Sequence, residues 1–210
     1  MISKNRVNQF LFLSIIILAV VAGWAVSELF RDKSPEISNN IQLKFSAIDH
    51  SGINVTESSY DGFAKVFFFG FTHCPDICPT TMAELAELKV QLVDTEAEGA
   101  RVAMVSVDPA RDTPERLAEY VPYFHPDFLG VTGEFADILS FAQRLNAPFR
   151  KVNEPEGAYQ MEHSANVMLI NPRGDYHGFF RAPLDIPKMR VTLRSTQYVW
   201  ELSLIHISEP

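Results

Sequence analysis

Residues 10–26 are apolar, with Ser14 and Gly23 as the only interruptions. As a helix this run spans roughly 26 Å, the short end of what crosses a bilayer. Lys4 and Arg6 precede it, and Arg31 and Lys33 follow it. The pattern predicts an uncleaved N-terminal transmembrane helix within an anchor over residues 1–33. The charges lean weakly toward an N-terminus inside, and Trp24 suits the interface. A cleaved signal peptide is the rival reading, with Gly23-Trp24-Ala25 as a poor cleavage site. Residues 34–40 are mostly polar, contain Pro35 and read as a linker.

From residue 41 the pattern changes to short apolar runs alternating with helical spacing. Residues 41–48 alternate like a strand, 49–52 form a turn, and 53–55 return as a short partner. Residues 65–71 are one buried strand. Met82, Leu85, Leu88 and Leu92 recur at helical spacing, which predicts a helix over 81–98. Thr81 and Glu84 read as its capping box, and Gly99 as its stop. Residues 101–107 are a second apolar strand. Asp112-Thr113-Pro114-Glu115 starts a helix that runs to about residue 123. A short strand over 128–131 precedes an amphipathic helix over 134–146, with Phe135, Ile138, Leu139, Ala142 and Leu145 on one face. Residues 149–152 are extended and 153–157 a loop. Strands over 165–170 and 176–180 flank a tight turn and should be antiparallel. The last helix covers 186–201, with Pro187 in its first turn. Strands alternating with helices predict an α/β domain over residues 41–201 with a central mixed sheet. Residues 202–210 do not continue that helix and resemble a translated adapter. They are read as a non-native tail, His206 included.

The apolar strand over 65–71 leads into the chemistry. Both cysteines of the chain, Cys74 and Cys78, follow it within Thr72-His73-Cys74-Pro75-Asp76-Ile77-Cys78-Pro79. They sit between a strand end and a helix N-terminus, the thioredoxin-like arrangement. A helix N-terminus favours thiolate over thiol. At i and i+4 on a helix the two sulfurs share a face, which suits a disulfide or one shared metal ion. Two buried structural cysteines are the plainer alternative, but prolines flanking such a turn argue against it.

Charge narrows the partners. The 210 residues carry a formal charge of −8, with 18 basic and 26 acidic side chains and no basic stripe, which argues against nucleic acid. Two cysteines cannot form a disulfide framework. His163 closely precedes the strand over 165–170, which in a thioredoxin-like sheet lies near the strand feeding the cysteine turn. A lone histidine is otherwise a surface or satisfied core residue. Two thiolates and an imidazole make a soft three-donor set. Structural zinc normally takes four ligands, so copper fits better than zinc. His73 is a competing ligand. Asp108 and Asp112 read as a strand end and a helix cap, or as supports of the metal loop. Asp76 either tunes thiolate charge or marks a partner surface.

Three segments together resemble the Sco/SenC family: Gly70-Phe71-Thr72-His73-Cys74-Pro75-Asp76-Ile77-Cys78-Pro79, then Val107-Asp108-Pro109-Ala110-Arg111-Asp112-Thr113-Pro114, then Glu162-His163-Ser164. The similarity covers residues 41–201, and the N-terminal anchor is typical of the family. The resemblance implies a thioredoxin-like fold and copper held by Cys74, Cys78 and His163. It also implies a single-pass protein of the inner or cytoplasmic membrane, with its domain on the periplasmic or extracytoplasmic side. Its partner would be cytochrome c oxidase subunit II, whose dicopper site such proteins help assemble. Three activities follow for the chain. The leading reading that the resemblance implies is a copper metallochaperone rather than an enzyme in the strict sense. Alternatively, it is a thiol–disulfide reductase that uses Cys74 and Cys78 as a redox pair to keep the partner's copper-binding cysteines reduced. The third reading is a thiol peroxidase on the same fold.

Overall fold

Lys65–Gly70 forms β3, and all six of its residues are buried. In the computed structural model, which describes residues 47–56, 59 and 61–207, this strand feeds the cysteine turn. The apolar run over 10–26 and the linker over 34–40 lie outside the described residues. Among the described residues no helix is long and apolar enough to cross a membrane.

The strands before and around β3 are β1 (Ala47–Asp49), β2 (Asn54–Val55), β4 (Arg101–Ser106) and β5 (Leu129–Thr132). Those after it are β6 (Phe149–Asn153), β7 (Tyr159–His163), β8 (Val167–Ile170) and β9 (Tyr176–Phe180). Seven of them make one sheet in the order β2-β1-β5-β4-β3-β8-β9. β3, β4 and β5 run parallel, whereas β8 is antiparallel to β3 and β9 to β8. The sheet is therefore mixed, as expected. The parallel strands are nearly continuous apolar runs because both their faces are covered. Phe67 to Phe69, Met104, Val105, Met168 and Leu169 form the centre of the core.

The helices are α1 (Ile77–Gln91), α2 (Pro114–Tyr120), α3 (Phe135–Arg144) and α4 (Ile186–Ile207). α2 begins as the sequence predicts. The Thr113 side chain accepts from Arg116 N, and Pro114 occupies the first turn. It ends at Tyr120, and one 3₁₀ turn, Val121–Tyr123, completes the predicted span.

Other elements differ. α1 starts at Ile77, four residues before the predicted start, so Thr81 lies inside it and the Thr81–Glu84 capping box does not form. Pro79 permits this, since a first-turn residue needs no backbone N–H. Cys78 is thereby part of the first helical turn. α1 also ends at Gln91, not at residue 98. Turns follow it, with Asp94 in the left-handed region at φ 57°. Leu92 and Ala97 remain buried there and extend the apolar spacing beyond the helix. Gly99 does not stop α1. A Cβ on Gly99 would stand 2.2 Å from the Phe63 ring, so a larger residue there would require that exposed ring to move. In α3, Ile138 and Ala142 are buried as expected and Phe141 joins them, but Phe135 is 43% exposed. It sits at the first helical position, with its ring edge-on to Phe149 at 5.6 Å between centroids. α4 runs to Ile207, past residue 201, where the sequence reading ends it.

The strand that sequence reading missed is β7. It pairs antiparallel with β6, from Phe149 opposite His163 to Asn153 opposite Tyr159, as a separate two-stranded sheet. Phe149 and Met161 bury its inner face against the body.

Candidate metal centre

Three elements meet at one point. Cys74 lies in the turn after β3, Cys78 in the first turn of α1, and His163 at the end of β7. Their ligand atoms all lie within 4.8 Å of one another. Cys78 Sγ is 3.5 Å from His163 Nε2 across 85 residues of sequence. The structure thus brings together the three residues the sequence singled out. Both cysteines are free thiols here.

Gly70 makes room for this meeting. A Cβ at Gly70 would sit 3.1 Å from Cys78 Sγ and 2.7 Å from the Phe68 ring. Two aromatic edges frame the imidazole, with Phe71 at 5.7 Å and Phe68 at 6.0 Å between ring centroids. His163 Nδ1 lies 3.0 Å from the Ser164 carbonyl oxygen, which can only accept. Nδ1 therefore carries the proton, and Nε2 presents its lone pair to the cysteines.

The electrostatics favour neutral groups until a cation arrives. Burial lowers the His163 pKa, partly opposed by the Ser164 carbonyl, so the imidazole stays neutral and able to ligate. Burial likewise pushes the Cys78 thiol well above its ordinary range. The Cys74 and Asp112 charges push the same way, against a backbone hydrogen bond at Phe71. At Cys78 the pull of the helix N-terminus toward thiolate is opposed by desolvation of a fully buried sulfur. A bound cation would supply the missing positive charge and displace the proton. Two soft sulfurs and a neutral nitrogen fit a soft ion such as Cu(I), and three donors leave a position for exchange.

The surrounding residues hold the ligands in place. Asp112 is fully buried and accepts from Thr72 N at 3.0 Å, Thr72 Oγ1 at 2.7 Å and Ser106 Oγ at 2.7 Å. It is not the cap of α2, a role Thr113 takes. It ties the end of β4 to the residue two before Cys74. Asp108 accepts from the Arg111 guanidinium and, at 2.8 Å, from the Tyr159 hydroxyl. The Arg111 guanidinium carbon lies 4.0 Å from the Tyr159 ring centroid. Of the two sequence readings of these aspartates, support of the segments that carry Cys74 and His163 is the one the contacts fit. His73 turns away from the cysteines. Its Nδ1 meets Thr72 Oγ1 at 3.1 Å, and its side chain is 46% exposed. Asp76 is exposed, and its side chain makes no capping bond to α1. Tyr159 and Ser106 escaped sequence reading, and Thr72 and Arg111 had no role assigned within the quoted segments. The alternation of Tyr159, Met161 and His163 with polar residues was the available signal for the first.

Comparison with known proteins places this arrangement. A profile of the SCO1/SenC family matches residues 33–197. A Stutzerimonas stutzeri protein named "Putative copper-binding protein" is 36% identical over 146 residues, which cover 70% of this chain and 72% of that one. The mitochondrial SCO1 homolog 1 of Arabidopsis thaliana is 34% identical over 145 residues. Those residues are 69% of this chain and 43% of that longer relative. The crystal structure of Arabidopsis thaliana ScoI with copper bound superposes with a TM-score of 0.67 at 32% identity. It covers 72% of this chain and 94% of its own. With the family profile spanning the mixed sheet and the converging Cys74, Cys78 and His163, the chain belongs to the SCO1/SenC family.

Proposed function

We propose that this protein is a copper chaperone that holds Cu(I) with Cys74, Cys78 and His163 and serves assembly of the dicopper site of cytochrome c oxidase subunit II. The observation that carries the reading is the convergence of two sulfurs and one imidazole nitrogen within 4.8 Å from separate parts of the fold. Copper is cargo here. Cys74 and Cys78 supply the charged soft donors, and His163 the neutral one, which is the easier to displace. A partner's ligand enters the open position and takes the ion by stepwise exchange. The apolar run over 10–26 would tether the domain to the inner or cytoplasmic membrane, with the domain on the extracytoplasmic side. The test is metal analysis of the reduced protein after exposure to Cu(I). About one tightly held copper per chain is expected. Loss of tight binding in Cys74→Ser and in Cys78→Ser is expected with it. Retention in both variants would refute the assignment.

A second reading has its own observation. Cys74 is half-buried and its neighbour Cys78 is fully buried. In a thiol–disulfide reductase the Cys74 thiolate would attack a partner disulfide and release one partner thiol. Cys78 would then attack the mixed disulfide, leaving Cys74–Cys78 oxidised and the partner's two cysteines reduced. That chemistry does not require His163 as a donor, so an exchange assay on His163→Ala separates the two readings.

A further inference from the structure

One side chain touches both parts of the fold that carry the metal centre. Arg111 stands in the turn after β4, where its N–H donates to the Asp108 carbonyl oxygen at 3.0 Å. Its guanidinium pairs with the Asp108 carboxylate, which also accepts from the Tyr159 hydroxyl. The guanidinium carbon lies 4.0 Å from the centroid of the Tyr159 ring and 5.8 Å from that of the Phe71 ring. Tyr159 is four residues before His163 on β7. Phe71 is three residues before Cys74, and its carbonyl oxygen accepts from Cys74 N at 3.2 Å. The Phe71 ring is in turn edge-on to the His163 imidazole, at 5.7 Å between centroids and 89°.

These contacts are more than an ion pair alone would produce. The Arg111 side chain is 27% exposed, yet its Nη2 is shielded from solvent and has no hydrogen-bond partner among the described residues. A guanidinium held only by Asp108 would keep that nitrogen in water, whereas this one lies against aromatic faces. The place matters because, among the described residues, the β6–β7 hairpin shares no ladder bonds with the main sheet. The hairpin carries His163 and the main sheet carries the cysteine turn, so their spacing needs a tie between side chains. Lys151 also lies over the Tyr159 ring, at 3.8 Å, but it belongs to β6 and so ties the hairpin only to itself. Arg111 comes from outside the hairpin and reaches both sides.

We propose that Arg111 is a positioning residue, a planar clamp that fixes the His163 hairpin to the Cys74 turn so that the three donors stand at one spacing before an ion arrives. For its consequence in copper binding it rests on the copper reading above. Donors that are already in place lose less affinity to being ordered. Lysine at this position would keep a charge beside Asp108 but has no plane to lie on the two rings. Outer groups that orient metal ligands typically account for about 10–100-fold in affinity.

The test is Arg111→Lys in the full chain, beside Lys151→Gln as a control. Cu(I) affinity by chelator competition, the melting temperature of the metal-free protein and disulfide exchange at Cys74 and Cys78 are measured on the same preparations. The imidazole nitrogen signals of metal-free His163 are recorded by NMR. Arg111→Lys is expected to weaken Cu(I) binding about tenfold. It should also turn the single Nδ1–H tautomer of His163 into a mixture, while melting and disulfide exchange stay near wild type. Lys151→Gln should change none of these. Copper affinity equal to wild type in Arg111→Lys would overturn the inference, and so would an equal loss of affinity in Lys151→Gln. A loss of affinity matched by a fall in melting temperature would also overturn it, since Arg111 would then serve the fold alone. If wild type itself takes up no copper, the copper reading falls, and the His163 signals decide the clamp by themselves. An unchanged single tautomer in Arg111→Lys would then overturn it.

Discussion

The Tyr159 hydroxyl donates to Asp108 Oδ1 at 2.8 Å, four residues before His163 on the same strand. β6 and β7 form a sheet of their own, so no ladder bonds fix them to the main sheet. The Tyr159–Asp108 bond, with the buried side chains of Phe149 and Met161, instead sets where His163 stands.

Tyr159→Phe should therefore loosen the histidine more than the cysteines. Arg111 still pairs with Asp108 in that variant, so the carboxylate is not abandoned. The expected loss of stability is only about 1 kcal/mol. Cu(I) affinity should fall by about tenfold, as for other groups that orient a ligand. Disulfide exchange at Cys74 and Cys78 should be unaffected. Chelator competition and an exchange assay on one preparation check the split.

Asp112 is the opposite case. It is fully buried and receives three donors, Thr72 N, Thr72 Oγ1 and Ser106 Oγ. Asp112→Ala leaves all three without their acceptor in a site closed to water. Each hydrogen bond to a charged group is worth about 1.5–3 kcal/mol, and the losses are not additive. A destabilisation of about 3 kcal/mol or more is expected in chemical denaturation. A loss below about 1 kcal/mol would show that Asp112 does not anchor the Thr72–Cys74 loop.

Much of this was legible in the sequence, and the gaps have physical causes. β3, β4 and the β8–β9 hairpin are short apolar runs bounded by turns, and Thr113-Pro114 is a local helix signal. The ligand set emerged because Cys74, Cys78 and His163 lie in distinctive segments. The start of α1 was missed because its apolar stripe begins at Met82, while its first turn is spent on Cys78 and Pro79. Gly99 looked like a helix stop because its near neighbour in space, the Phe63 ring, lies 36 residues away and leaves no local pattern. Asp112 looked like a cap because Thr72, 40 residues distant, is visible only in the fold. The role of Tyr159 depends on a contact of the same long-range kind, with Asp108 51 residues away.

His163 and Cys78 should bound the stability of the metal-free protein on both sides of neutrality. The His163 pKa is lowered from 6.5 by burial, so as pH falls through that value the unfolded chain takes up a proton the folded chain refuses. Stability is fully present above the unfolded value and declines below it. The Cys78 pKa is raised from 9.0 by burial, so above that pH the unfolded chain loses a proton the folded chain keeps. Stability is present below that value and declines above it. A bound cation should abolish the alkaline decline, because the Cys78 proton has already been displaced. Denaturation against pH, with and without Cu(I), reads both edges. An alkaline edge unchanged by copper would mean that Cys78 is not a ligand.

The last prediction separates the work of the three donors. Cys74 and Cys78 carry the negative charge that matches a soft cation, so loss of either should abolish tight Cu(I) binding. His163 comes from a distant hairpin, with Nε2 3.5 Å from Cys78 Sγ. It adds no charge but closes the site and ties the ion to the folded hairpin. His163→Ala should therefore leave a two-thiolate site that captures Cu(I) and releases it sooner. Altering a partner of a metal ligand costs about 10–100-fold in affinity, and loss of the ligand itself should cost at least as much. The same variant keeps both thiols and the fold around them, so disulfide exchange should proceed at nearly the wild-type rate. Copper transfer and disulfide exchange should thus part company at this residue. If both fall together, His163 supports the cysteine turn rather than the metal. If neither falls, the ion is held by the cysteines alone.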